Sequence, residues 1–146
     1  MQPLYLAKDN RFPMLLDHQT ILCVDDDPDD QMLIQETIKE INPNARIATA
    51  HNGLESLQYL MNVQSDESLP CLIIMDINMP LLDGKETLAR IKKDPRFQKI
   101  PVVMFTTSSS QLDQTFCENY KVPFVTKPLR HKGLKEVIES MLQMCD

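Results

Sequence analysis

Five short strand signals, each followed by apolar residues at helical spacing, leave this chain few ways to fold. They lie at residues 21–24, 45–49, 72–75, 102–105 and 124–126. Ile21-Leu22-Cys23-Val24 and Leu72-Ile73-Ile74-Met75 show no polar alternation, so both faces of those strands are predicted to be buried. Asp27-Pro28 reads as an N-cap followed by proline at the first helical position. Ile34, Ile38 and Ile41 then form an inward stripe that Asn42-Pro43 ends. Asn52-Gly53 opens a second helix with Leu54, Leu57, Tyr59, Leu60 and Met61, and Asp83-Gly84 a third with Leu88 and Ile91. Arg90, Lys92 and Lys93 fall in the last turn of that third helix, where cations favour the dipole. Residues 106–110 cap a fourth helix carrying Leu112, Phe116 and Tyr120. A fifth, over residues 130–144, carries Leu134, Val137, Ile138, Met141 and Leu142. Such alternation predicts an α/β fold: one parallel sheet, helices on both faces, right-handed crossovers.

The 146 residues suit one domain, and 42% hydrophobic residues suffice for its core. Residues 1–19 have no sustained period and contain two prolines, so they read as a poorly ordered leader ahead of a domain at 20–146. A net charge of −6 and a pI near 5.0 argue against bulk nucleic-acid binding. No stretch approaches the roughly 18 apolar residues of a membrane span, and no signal-peptide pattern is present. These features predict a cytoplasmic protein with no membrane contact. Cys23, Cys71, Cys117 and Cys145 show no CxxC spacing, which argues against zinc. Cys23 and Cys71 read as small core residues kept reduced. His18, His51 and His131 have no mutual spacing and no acid partner that suggests catalysis, and read as surface or loop residues.

The chemistry gathers where the strands end. In an open α/β sheet, ligands bind beyond the carboxyl ends of the strands. Val24 runs into Asp25-Asp26-Asp27, Met75 into Asp76, Phe105 into Thr106 and Thr126 into Lys127-Pro128. Asp25, Asp26 and Asp76 would crowd like charges, which raise each other's pKa unless a cation intervenes. Oxygen ligands without thiolate or imidazole suit Mg2+. A carboxylate beside Mg2+ can accept a phosphoryl group, and Lys127 and Thr106 offer donors for its oxygens. Asp27 reads as a helix cap and Asp83 as a turn or helix-start residue.

The motifs Val24-Asp25-Asp26-Asp27-Pro28, Met75-Asp76-Ile77-Asn78-Met79-Pro80-Leu81-Leu82-Asp83-Gly84, Phe105-Thr106-Thr107 and Val125-Thr126-Lys127-Pro128 resemble, in order and spacing, the response-regulator receiver domains of two-component signalling. The match covers residues 20–144 and extends weakly to the single-domain regulators that partner phytochrome-type kinases. The resemblance implies a flavodoxin-like, doubly wound five-stranded parallel sheet of order 2-1-3-4-5 with five helices. It implies Asp76 as phosphoacceptor, and Asp25, Asp26, Asp76 and the Asn78 backbone carbonyl as Mg2+ ligands. Thr106 and Phe124 would be the switch pair, Lys127 the phosphoryl counter-ion, and the Lys127–Pro128 bond cis. A histidine kinase or phosphotransfer protein would supply the phosphoryl group, and the output would be a protein partner or a homodimer. The domain would be a signalling phospho-acceptor, catalysing only its own phosphorylation and dephosphorylation. Three departures stand out: Thr107 after the switch threonine, the long loop 62–70, and Lys121-Val122-Pro123 where a glycine is usual. Two other readings compete. Asp25-x-Asp27 imitates the acid pair of a haloacid-dehalogenase-like phosphatase, and a receiver-like module that never carries phosphate would need an incomplete site.

Overall fold

Strands β1 (Thr20–Val24), β2 (Arg46–Ala50), β3 (Leu72–Met75), β4 (Val102–Thr106) and β5 (Phe124–Thr126) form one parallel sheet of order β2-β1-β3-β4-β5. The computed structural model describes residues 19–128 and 131–145, so the leader expected at 1–19 lies, but for Gln19, outside the described residues. Between the strands run α1 (Pro28–Ile41), α2 (Gly53–Asn62), α3 (Gly84–Lys93) and α4 (Gln111–Asn119), and α5 (Leu134–Leu142) follows β5. Local chemistry sets most of these starts. The side chains of Asp27, Asn52, Asp83 and Ser110 accept first-turn N–H groups of α1, α2, α3 and α4. The fifth helix, expected over residues 130–144, runs from Leu134, the first residue of its apolar stripe, to Leu142, because a 3-10 turn at His131–Gly133 precedes it and Gly133 supplies no side-chain cap.

β1, β3 and β4 are almost wholly buried, as their unbroken apolar sequence requires. Successive residues feed opposite cores. Leu22, Val24, Ile73, Met75 and Met104 face a layer with Leu60, Leu88, Ile91 and Cys117 of α2, α3 and α4. Ile21, Cys23, Ile74, Val103 and Phe105 face Ile34 and Ile38 of α1 and Leu134, Ile138 and Met141 of α5. β3 is the middle strand, flanked by β1 and β4, so its end lies between theirs at this sheet edge.

Three local expectations need correction. No peptide bond among the described residues is cis, so the Lys127–Pro128 bond is trans, the isomer that X–Pro bonds ordinarily prefer. Cys71 is not a free core thiol. It lies just before β3, half-buried, and is disulfide-bonded to Cys145, which follows α5, with the Cα atoms 4.9 Å apart. Cys23 and Cys117 are free and buried. The loop after α2 contains a 3-10 turn at Asp66–Ser68, and Arg96 fastens it by donating to the Val63 carbonyl and to Asp66 Oδ1.

The missing glycine before β5 is replaced by a strained lysine. Lys121 has φ 58° while its N–H donates to the Glu118 carbonyl and Val122 N–H donates to the Cys117 carbonyl. This pair of bonds is a Schellman motif, whose left-handed position glycine occupies without a Cβ penalty. Lys121→Gly is therefore expected to stabilise the protein by about 1 kcal/mol, read as a higher urea midpoint at unchanged slope.

Candidate functional site

The ladder of the sheet places the polar groups. Beyond each strand, one further backbone bond pins the next residue: Asp25 N–H to the Ala50 carbonyl, Asp76 N–H to Val24, Lys127 N–H to Thr106. Three residues distant in sequence are thereby fixed side by side at one edge. A carboxylate oxygen from each of Asp25, Asp26 and Asp76 lies within 4.8 Å of the others. Asp25 is 3% exposed and Asp76 9%, whereas Asp26 is open to solvent.

One ammonium holds this cluster together. Lys127 Nζ donates to Asp25 Oδ2 at 2.6 Å, Asp30 Oδ2 at 2.8 Å and Asp76 Oδ2 at 3.2 Å. The other oxygens are also engaged: Asp27 N–H donates to Asp25 Oδ1 at 3.0 Å and Ile77 N–H to Asp76 Oδ1 at 2.7 Å. Burial pushes the Asp25 carboxyl above its usual range, and the Lys127 and Asp27 hydrogen bonds recover only part of the shift. Burial also opposes charge on Lys127. The Asp25 and Asp30 hydrogen bonds and the fields of Asp76 and Asp25 outweigh it, so the ammonium is held more firmly protonated than an ordinary lysine.

The donor set fits a hard divalent cation. It consists of carboxylate oxygens only, one of them exposed, and it carries more negative charge than one ammonium neutralises. Asn78 sits two residues past Asp76 in the exposed part of the β3–α3 loop. That loop is tightly turned: Leu81 has φ 68° and is 78% exposed, while Leu82 N–H donates to the Pro80 carbonyl.

Thr106 ends β4 with its side chain fully buried, and its Oγ1 accepts from Ser108 N–H at 3.1 Å. Phe124 is half-buried against the α2–α3–α4 core. Thr107 is exposed. Asp27 Oδ1 accepts from Asp29 N–H and Asp30 N–H, so it caps α1, and the carboxylates close enough to share a cation are those of Asp25, Asp26 and Asp76. His51 is exposed beside Glu55, as expected of a surface residue.

Sequence reasoning missed two neighbours. Asp30 is in the first turn of α1, where an acid already has a dipole explanation. Gln31 is 4% exposed, and its Nε2 lies within hydrogen-bond distance of the Cys23, Asp25 and Ala50 carbonyls, clamping β1 to β2 beside the cluster. Period alone marks neither.

A second polar cluster ties Thr106 to α4. Asp113 accepts from Ser108 Oγ at 2.6 Å and pairs with Lys85 Nζ at 2.8 Å. The Lys85 hydrogen bond, then that of Ser108, holds the Asp113 carboxyl below its usual range. A depressed folded-state pKa stabilises the fold above the unfolded pKa, and the gain is lost as pH falls through the folded value. Asp113→Asn is expected to cost about 1 kcal/mol at pH 7, the gap to wild type closing below about pH 4. Urea midpoints at pH 7 and pH 3 measure it.

The family model for the response regulator receiver domain matches residues 21–139. Response regulator Rcp1 of Synechocystis sp. is 32% identical over 84% of this chain and 86% of its own length. A probable methanogenesis regulatory protein, FilR2 of Methanothrix harundinacea, is 33% identical over 83% of this chain and 79% of its own. Among solved structures, the phosphorylated cyanobacterial phytochrome response regulator RcpA superposes with a TM-score of 0.79 at 31% identity, covering 88% of this chain and 94% of that one. The Mn2+-bound form of Rcp1 gives 0.74 at 32% identity, covering 84% and 90%.

Proposed function

This chain belongs to the response regulator receiver domain family, and from that premise we propose that Asp76 is the phosphoacceptor of a phosphorelay switch. Receiver domains are phosphorylated by histidine kinases and act on downstream partners. The observation that carries the reading is the Lys127 ammonium lodged between Asp76 and Asp25, groups delivered by three separate strand ends.

In the proposed step, the phosphoryl group moves from a phosphohistidine nitrogen to a carboxylate oxygen of Asp76. The P–N bond breaks as the P–O bond forms, and the departing imidazole keeps the electron pair and takes a proton. Asp25, Asp26 and the Asn78 backbone carbonyl, together with Asp76, would hold Mg2+, which supplies positive charge against the phosphoryl oxygens. Lys127 exchanges its contact with Asp76 for a phosphoryl oxygen. Thr106 trades the Ser108 N–H for the phosphoryl group, Phe124 follows, and the face of α4, β5 and α5 changes its affinity for a partner protein or a second copy of the chain. The kinase or phosphotransfer donor, the absence of any reaction beyond self-phosphorylation and dephosphorylation, and the cytoplasmic location belong to this same reading. So does the division into a leader at 1–19 and a receiver domain at 20–146. No helix among the described residues is long and apolar enough to cross a membrane.

Intact-mass spectrometry after incubation with acetyl phosphate tests the reading. The expected result is one phosphoryl group per chain, dependent on Mg2+ and lost in Asp76→Asn. A gain that survives in Asp76→Asn would overturn it.

A further inference from the structure

We propose that Asp30 is a positioning residue for this site: it is the anchor that keeps Lys127 beside Asp76 when a divalent cation claims the other carboxylates. The inference rests on the reading of Asp25, Asp26 and Asp76 as the cation-binding group.

Lys127 has three N–H donors and three carboxylate partners, and its side chain is only 10% exposed. Two of those partners, Asp25 and Asp76, belong to the group of carboxylates able to share a cation. Asp30 stands outside that group. A doubly charged ion entering among Asp25, Asp26 and Asp76 competes directly with the ammonium for Asp25 and Asp76. With Asp30 at 2.8 Å, Lys127 gives up those contacts yet keeps one charge-assisted hydrogen bond and stays at the rim. Without it, a nearly buried ammonium has no other anion among the described residues to turn to, so it holds its ground against the metal.

The build of α1 suits Asp30 to this task. Asp27 caps the helix, Pro28 occupies the first helical position, and Asp30 N–H donates to the cap. These bonds fix the backbone from which the Asp30 carboxylate reaches Lys127. The Asp30 side chain is 37% exposed, so it keeps part of its hydration while serving as anchor. Asp29, next to it, carries the same charge but is exposed and makes no contact with Lys127.

The test is a double-mutant cycle read by calorimetric titration of Mg2+ into the full chain. Asp30→Asn is expected to weaken Mg2+ binding roughly tenfold, as loss of an outer-shell partner does elsewhere. Asp29→Asn, the charge-matched control, is expected to change it less than about twofold, its exposed charge being screened. In a Lys127→Met background the Asp30→Asn effect should shrink to that of Asp29→Asn, because the anchor then has nothing to hold. An undiminished effect in that background would mean that Asp30 attracts the cation directly, and would overturn the proposal. So would an Asp30→Asn effect no larger than that of Asp29→Asn. The cycle reads metal binding alone: a phosphoryl gain surviving in Asp76→Asn would sink the phosphoacceptor reading and leave the anchor standing. Equal losses in both backgrounds would do the reverse, and a wild-type chain that takes up no Mg2+ would remove both.

Discussion

Lys127→Met is expected to lose about 3 kcal/mol of folding stability at pH 7 in the absence of divalent cations. The lysine is the counter-ion to Asp25 and Asp76, both nearly buried, and to Asp30. Asp30 adds little to the loss, because more than a third of its side chain is in water. Removing one partner of a buried ion pair leaves an uncompensated charge, which costs more than the pair itself contributes. The pH dependence has a definite sign. Burial already holds the Asp25 carboxyl above its usual range, and without the ammonium it rises further. The deficit is then fully present above the raised Asp25 value and shrinks as pH falls through it. Mg2+ should restore much of the loss, since it binds only the folded cluster. Urea unfolding at pH 7 and pH 4.5, each with chelator or with excess Mg2+, distinguishes the cases. A loss below about 1 kcal/mol that ignores Mg2+ would show that water already solvates these acids.

Gly84→Ala is expected to disturb the site through the backbone of Asp76 itself. A Cβ at Gly84 would lie 2.2 Å from the Asp76 carbonyl oxygen and 2.8 Å from Ile77 Cα. Both are backbone atoms at the end of the middle strand, so neither can rotate away. Gly84 N–H also donates to the Ile77 carbonyl at 2.7 Å, which draws the start of α3 onto the loop. Something must shift, and what moves carries Asp76. Overpacking of this kind costs about 1–3 kcal/mol. A displacement of about 1 Å in a reacting group can lower a rate by about two orders of magnitude. The expected outcome is a chain that still unfolds cooperatively but takes phosphoryl from acetyl phosphate at least tenfold more slowly, measured by mass against time. An unchanged rate would mean that the loop adjusts without moving Asp76.

The fold was legible because burial on both faces writes itself as unbroken apolar sequence, and β1, β3 and β4 are of that kind. β2, an edge strand with Arg46 and Thr49 exposed, was visible mainly from the alternation around it. Asp25 and Asp76 were legible for a related reason: a charged residue directly after a buried strand has few bland explanations. Lys127 follows the half-buried edge strand β5, and its place before Pro128 marked it instead. What remained hidden depends on pairing across space. Nothing in the spacing of Cys71 and Cys145 announces a bond between them. Asp30 is masked by its helix dipole role, and Gln31 by sitting on a helix whose stripe is set by isoleucines. The left-handed Lys121 was flagged only as the absence of a glycine, since hydrogen bonding at the end of α4, not residue preference, dictates its conformation.

The reach of the Lys127 contacts along the chain has a consequence for assembly. Its partners Asp25, Asp30 and Asp76 lie 102, 97 and 51 residues before it. None of these contacts can form until the last strand has docked on β4, and β4 in turn on β3. Contacts this distant close late and raise the mean sequence separation that slows folding. A nascent chain therefore displays Asp25, Asp30 and Asp76 long before it owns their counter-ion. Completion of the sheet and completion of the site are one event, and a chain short of its fifth strand is silent as well as unfinished.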